Sequence, residues 1–369
     1  MSITNIGVGD AKAVKKFSAF LAVDTANKSY FSRKFTGGPE SSMPIHTLNE
    51  LESDAGEYIS YDLSMQMTMA PVEGDDVLEN KEDHLTFYSD GLYINQARCG
   101  VNTGGRMTRK RTIHNLRKIA RKRSSDWWAR AFDELHFMYL SGSRGVNSDF
   151  VWSTSFSSFA GNSLSAPDSY HVIYADGATK ATLAAENKLD LSDIDRAVGL
   201  MAMTGGGSEG IPAMQPITVD GEEHFVLIIN PWQEYDLRVN TGSGQWLDIQ
   251  KALASAVGKS SPIFKGGAGM HNNVIIHKHK KIIRFTDYGT GSPGTVSAAR
   301  ALLLGCQAAV VAFGSPGTGL RFGWNEETRD NGNQVIISSH SILGMKKATF
   351  NSIDFGVFCI DTAAVDPGA

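Results

Sequence analysis

A strict alternation of apolar and polar residues over positions 59–69 constrains this chain more than any other feature. Every second residue from Ile59 to Met69 is apolar, which is the period of a strand with one covered face. A ribbon of this length spans roughly 35 Å, which is long for a strand in an ordinary domain. Residues 84–95 supply a return strand, in which Gly91 marks an expected bulge.

A two-stranded hairpin of this length is marginal in water and needs a cover for its apolar face. If the chain's own domain does not supply that cover, another subunit must. The sequence therefore predicts an extended hairpin over residues 58–95 that packs on a second copy. The residues expected at this contact are Ile59, Leu63, Met65, Met67, Glu79, Leu85 and Phe87.

The segment between the two strands, residues 71–83, is strongly acidic. Such a run is usually a solvated loop, but it can also be a surface that meets a basic partner. Both interpretations stay open at this point. Its acidic residues are Glu73, Asp75, Asp76, Glu79, Glu82 and Asp83, against the single base Lys81.

The period changes to that of a helix near Thr108 and continues to Leu140, which predicts one rod about 45 Å long. Its first half is basic, with no acidic residue. We expect this face to pair mainly with the acidic segment of a neighbouring copy, and to face DNA to a lesser extent. A solvated face and phosphate binding by counterion release are the alternatives, although aromatic residues for base stacking are missing from it. The candidate residues are Arg109, Arg111, Arg117, Arg121 and Lys122.

The remaining segments predict an arm and a mixed α/β module. Residues 1–55 have no sustained period and are expected to form a tail, or an arm laid on something else. Strand 225–229 runs into Asn230 and Pro231, which together with Gln233 predict a capped helix. Other predicted helices cover 190–203, 246–256 and 298–313, and other strands cover 273–277, 281–285, 334–338 and 353–361.

Composition excludes several classes of protein. The chain has 369 residues, of which 41% are apolar and 20% charged, with a net charge of -4, so neither charge-driven disorder nor a partner attracted by overall charge is expected. Three distant cysteines fit neither a disulfide framework nor a zinc site. No apolar run could span a membrane and no signal peptide begins the chain. We expect a soluble protein made in a cytoplasm, with no membrane partner.

No motif predicts catalysis or a cofactor. Residues 206–210 match the G-x-S-x-G pattern around Ser208, but a predicted helix precedes them where a hydrolase needs a strand. The glycine-rich runs 266–269 and 314–319 are interpreted as turns. His277 and His279 alternate on a strand end, where neighbouring lysines favour a solvated basic edge over a metal site. We therefore expect no enzyme, no cofactor and no metal.

The order of these features resembles the major capsid protein family of tailed bacteriophages, with the fold named after phage Hong Kong 97, and more narrowly the branch related to coliphage N-four. The likeness covers nearly the whole chain. It is carried by residues 51–59, 74–79, 85–87, 106–112, 126–127, 226–231, 236–238, 246, 262–264, 300–312, 347 and 354–356.

The resemblance implies an α+β fold with five parts. These are an N-terminal arm (1–55), an extended hairpin loop (56–107), a peripheral domain with a long spine helix (108–210), an axial domain (211–320), and closing strands of the peripheral domain (321–369).

The resemblance also implies a function in the virion. Copies would form hexamers and pentamers of an icosahedral head around double-stranded DNA, after assembly in the host cytoplasm. The implied partners are a portal protein, a scaffolding protein and packaged DNA on the inner face, and a decoration protein is left open. Because arm-like sequence begins within about ten residues of Met1, we expect the scaffold to be a separate chain. The alternatives are a nucleic-acid-binding internal virion protein and, third, an enzyme built on Ser208.

Overall fold

A computed structural model describes residues 21–39, 41–52, 55–64, 67, 69–203, 213–219, 221–240, 267–290, 294–314 and 321–368. The predicted helix over 246–256 and residues 1–20 lie outside this part of the chain. Within it, the mixture of helices and sheets confirms the α+β class. The helices are α1 (21–28), α2 (Tyr30–Lys34), α3 (Arg106–Arg111), α4 (Leu116–Ser141), α5 (Leu191–Met203) and α6 (Pro231–Val239).

One of the two main sheets in the described chain has six strands in the order β1-β2-β15-β17-β16, and β5 pairs with β17. β17 is the longest of the described strands and holds the sheet together, because β15, β16 and β5 all pair with it antiparallel. The strands are β1 (Thr36–Gly37), β2 (Ile45–Leu48), β5 (Asn95–Asn102), β15 (Ala309–Gly314), β16 (Gly323–Arg329) and β17 (Gln334–Lys347).

The other main sheet has eight strands in the described chain, in the order β11-β12-β10-β14-β20-β8, with β13 on β14 and β9 on β10. The strands are β8 (Val172–Tyr174), β9 (Ile217–Val219), β10 (Glu222–Ile229), β11 (Gly267–His271), β12 (Val274–Lys278), β13 (Arg284–Tyr288), β14 (Val296–Leu304) and β20 (Val357–Ala363). Three small two-stranded pairs complete the described strands: β3 (Tyr58–Ser64) with β4 (Phe87–Tyr93), β6 (Ser158–Phe159) with β7 (Asn162–Ser163), and β18 (Thr349–Phe350) with β19 (Ile353–Asp354).

Helix α4 connects the two sheets. At its middle, the Trp128 indole donates to the Ser339 hydroxyl on β17, at 2.9 Å. At its C-terminal end, the Arg300 guanidinium on β14 donates to the Ser141 carbonyl, at 2.7 Å. Arg300 also forms two 2.7 Å bonds to Asp361 on β20, so the helix end is fixed to a buried ion pair of the eight-stranded sheet.

The expected helix over 298–313 is wrong, because this segment forms β14 and β15. Both strands are covered on both faces. Their sequences are therefore continuous apolar runs and lack the alternation of a half-buried strand. Gln307, at φ 54°, turns the chain between them. The expected turn at 266–269 is also wrong over its described part, which begins β11.

The expected arm is integrated into its own chain over residues 21–52. Leu21, Phe31, Phe35 and Ile45 are buried in the main core, and β2 pairs in parallel with β15. The expected domain limits also differ from the sheets. β15 and β5 belong to the six-stranded sheet, and the C-terminal strand β20 lies in the eight-stranded sheet beside β14. Long-range strand pairing, which leaves no local signal in the sequence, causes this difference.

The predicted helix α6 is confirmed together with its capping box, in which the Asn230 side chain and Gln233 satisfy the first backbone groups. Helix α5 is confirmed, and the Asp190 side chain accepts the bond from the Asp193 amide at its start. The strands expected over 273–277 and 334–338 are confirmed as β12 and part of β17.

Candidate assembly surfaces

The base of the hairpin is covered by its own chain. Ile59 on β3 and Leu92 on β4 are buried against Val310 and Phe350, and Leu63 packs at the margin of this cluster. The expectation that Ile59 packs on another subunit is therefore wrong, and for Leu63 it is wrong in part. The cause is the neighbouring β15 and β18, which the hairpin pattern alone does not reveal.

Asp90 fixes the hairpin base to the body. Its carboxylate accepts bonds from the Tyr61 hydroxyl at 3.0 Å and the Thr349 hydroxyl at 3.2 Å, and it pairs with Lys346 on β17. Burial and the Asp90 carboxylate raise the pKa of Tyr61 well above its usual range. The next residue, Gly91, pairs with Ser60 in an unbroken register, so the expected bulge is wrong.

The distal part of the hairpin is exposed. β3 ends at Ser64 and β4 begins at Phe87, so the paired region is shorter than the alternation predicted. Met67 is 71% exposed, Leu85 62% and Phe87 60%, and Glu79 is exposed as well. Met65 lies outside the described residues.

The acidic segment, residues 71–83, is called the tip below. Two of its apolar residues, Val77 and Leu78, are also exposed. Five of its carboxylates form no ion pair with a described residue, and no described strand pairs with the tip. The tip therefore combines unpaired negative charge with exposed apolar surface. The five acids are Glu73, Asp75, Asp76, Glu79 and Glu82.

The basic half of the predicted rod is two helices. α3 ends at Arg111, Thr112 is extended, and the Asn115 side chain caps the start of α4 by accepting from the Lys118 amide. The expectation of one continuous helix is wrong here, because a β-branched pair followed by a capping residue favours a break. Ile113 lies in this break and is fully exposed, at 102%. Residues 106–123 are called the elbow below.

Part of the candidate basic face is used inside the chain. Arg117 forms a 2.7 Å ion pair with Glu326 on β16, whose side chain is almost fully buried. Arg109 donates to the Asn333 carbonyl at 3.0 Å in the β16–β17 turn, and Arg121 is half-buried. Arg111 and Lys122 are exposed, as are Lys110 and Lys118, and these four make no ion pair with a described residue.

Sequence reasoning missed a set of buried charges that hold the second half of α4. Glu134 pairs with Lys281 at 3.0 Å, and both side chains are almost fully buried. The backbone amide of Val151 also donates to Glu134, at 2.6 Å. The available signal was the interruption of an apolar helical stretch by Asp133 and Glu134, since carboxylates in such a position need internal partners.

The described residues test one of the two chemical motifs, the histidine pair. His277 is buried and His279 stacks on Phe137 with ring centroids 4.7 Å apart, so the expected solvated basic edge is wrong. Burial and neighbouring lysines lower the pKa of His279 to about 4. Among the described residues, no three histidine, cysteine or acidic side chains form a metal site. Ser208 lies outside the described part. No described helix is long and apolar enough to cross a bilayer.

Comparisons with known proteins agree over nearly the whole chain. A family model described as phage capsid protein matches residues 5–366. The major capsid protein of Pseudomonas phage KPP25 is 26% identical over 360 residues, covering 92% of each chain. The capsid of Ralstonia phage GP4 is 47% identical, covers 99% of both chains and has a TM-score of 0.85. The capsid of cyanophage Pam1, at 19% identity and a TM-score of 0.70 over 92% of this chain and 93% of its own, shows the same fold.

Proposed function

Because the chain belongs to the phage capsid protein family and is a major capsid protein of a phage head, we propose that its distal hairpin and its elbow are the two surfaces that join one copy to the next. Its α+β fold is of the Hong Kong 97 type that the sequence indicated. As a virion component it self-associates into a shell, and self-association requires surfaces that the isolated chain leaves uncovered.

The observation that supports this proposal most strongly is the contrast between the two ends of the hairpin. Its base packs in the chain's own core, whereas Met67, Leu85 and Phe87 at the distal end remain exposed. An isolated ribbon with exposed apolar side chains is unfavourable in water and gains stability when a second copy covers it.

Charge supports pairing of the tip with the elbow of another copy. Five unpaired carboxylates lie on the tip, and four unpaired basic side chains lie on the elbow. Exposed apolar residues accompany both: Val77 and Leu78 on the tip, and Met107 and Ile113 on the elbow. A surface with both features matches a protein partner better than a nucleic acid, which offers phosphates without an apolar complement.

Contacts between two different surfaces of identical chains can close into rings or continue into open lattices. On this basis hexamers, pentamers and a closed icosahedral shell around double-stranded DNA are the proposed products. A separate scaffolding protein in the host cytoplasm would select the closed form, since tubes and shells share similar local contacts. The proposed role is structural and requires no catalysis.

The test is a charge reversal with rescue. Lys118→Glu with Lys122→Glu should abolish regular shells in negative-stain electron microscopy, and Glu79→Lys with Glu82→Lys on the same chain should restore them. The matched control, Arg98→Glu with Lys280→Glu, reverses two exposed charges elsewhere that also form no ion pair with a described residue, and it should assemble normally.

Two outcomes would contradict this pairing. Normal shells from the reversed elbow would show that it joins no copies. Normal shells that fail to retain DNA would assign the elbow to the nucleic-acid alternative instead.

A further inference from the structure

The segment of residues 21–37, called the strap below, is held against α4 by one buried carboxylate. Asp133 accepts bonds from the Ser29 hydroxyl at 2.7 Å, the Tyr30 amide at 3.0 Å and the Phe31 amide at 3.3 Å. A second contact lies at the edge, where Lys28 pairs with Asp126 at 2.8 Å. The strap is therefore attached by a few specific polar bonds.

Two histidines form the apolar part of the same attachment. The His136 ring stacks on Phe31 with centroids 4.7 Å apart and planes 13° apart. The His279 ring lies 4.6 Å from Tyr30 and also stacks on Phe137. Both imidazoles act here as neutral aromatic rings, and a proton on either would place a charge inside an apolar contact.

The surroundings of both rings oppose a positive charge. Lys34 on the strap, Lys280 and Lys281 lie near His279, and Asp149 provides a nearby opposite charge. His136 donates through Nδ1 to the Phe132 carbonyl at 2.7 Å, and Arg321 lines the same cavity of about 330 Å³. His277 is buried beneath Phe35, with ring centroids 5.4 Å apart.

We propose that the strap is an acid-released clasp, in which protonation of His136 and His279 detaches residues 29–35 from α4. Opening would expose Phe137 and the cavity beside His136, and would free the strap to bind elsewhere. The proposal is independent of tip–elbow pairing.

The pKa values of these groups set the direction in which strap opening depends on pH. Burial lowers the pKa of His136 to about 4, and burial with nearby lysines lowers that of His279 to about 4. These groups favour the closed strap at neutral pH, and that contribution is lost as the pH falls from about 6.5 towards 4. Asp133 acts oppositely, because burial raises its pKa to about 6 and its protonation favours closure. On opening, the two histidines gain protons and the carboxylate loses one, so the net uptake is about one proton. The equilibrium constant for opening should therefore change roughly tenfold per pH unit near pH 5–6.

Hydrogen–deuterium exchange of the full-length protein tests the clasp. Protection factors, corrected at each pH for the intrinsic exchange rate, are compared for peptides covering residues 29–37 and 226–229. The strap peptide should lose at least tenfold in protection between pH 7 and pH 5, while the β10 peptide keeps its protection. His136→Phe with His279→Phe should abolish this loss, and the control His84→Phe, at an exposed position, should not.

Constant strap protection in the wild type, or equal loss in β10, would overturn the proposal. An unchanged loss in the double variant would also overturn it. If the double variant does not fold, Asp133→Asn provides the test. Without the opposing carboxylate, strap protection should fall more steeply as the pH decreases. A shallower fall than in the wild type would contradict the clasp.

Discussion

The first half of α4, residues 116–123, and its second half, residues 124–141, belong to one helix but lie in opposite environments. In the first half only Ala120 is buried, and the surface is basic. In the second half every residue from Ala131 to Ser141 is buried. The same contrast occurs along the hairpin, between a base covered by the chain and an exposed distal part.

The two halves of α4 place different requirements on the sequence. The second half must satisfy each buried charged or polar group internally. Glu134 pairs with Lys281, and the Ser141 carbonyl accepts from Arg300. In the first half Arg117 has such a role, since it pairs with the buried Glu326, whereas the two lysines are solvated in the single chain. The proposed contact with a neighbouring copy would give this basic surface a role that the single chain does not show. The substitutions below test this separation.

The largest effect is expected at the C-terminal end of the helix. Arg300→Met leaves Asp361 as a buried, unpaired charge and removes the bond to the Ser141 carbonyl, so the free energy of unfolding should fall by about 3–5 kcal/mol. Urea denaturation of the purified chain measures this. A loss below about 1 kcal/mol would show that the ion pair does not hold the helix to the sheet.

The next effect compares equivalent truncations in the two halves. Leu135→Ala should cost about 2–5 kcal/mol because it opens a cavity in the main core. Ile119→Ala, at a position 42% exposed, should change stability by no more than about 0.5 kcal/mol. Equal losses in denaturation midpoint would contradict the distinction between the halves.

A smaller effect is expected at the break between α3 and α4. Asn115→Ala removes the cap on the Lys118 amide and should cost about 1 kcal/mol. Asn115→Asp keeps an acceptor there and serves as the control, with stability close to that of the wild type.

The smallest effect on stability should accompany a large effect on assembly. Ile113→Ser should leave the free energy of unfolding within about 0.5 kcal/mol, because the side chain contacts solvent. It should nevertheless weaken shell formation, measured by light scattering against protein concentration. Unchanged assembly would remove Ile113 from the proposed contact.

These cases also show how far the sequence could predict the molecule. The helical period, the capping box of α6 and the base of the hairpin are local patterns, and they could be read directly. β14 and β15 could not, because burial on both faces removes the alternation that distinguishes a strand from a helix.

The candidate surfaces were predictable as charge runs but not residue by residue. The alternation predicts a partner for Ile59, because its actual cover, β15 and β18, comes from 250 or more positions later in the chain. The charge run predicts an open face for Arg117, although Glu326, distant in sequence, pairs with it. Contacts between sequence-distant residues leave no pattern in a single chain.

Zero-length carbodiimide cross-linking of assembled shells tests the pairing of tip and elbow most directly. Shells made from an equal mixture of ¹⁴N- and ¹⁵N-labelled chains distinguish links between copies from links within one. The expected result is mixed-isotope links from Glu79 or Glu82 to Lys118 or Lys122. Tip carboxylates that link between copies only to lysines outside residues 106–123 would contradict the pairing, even though the shells themselves are intact.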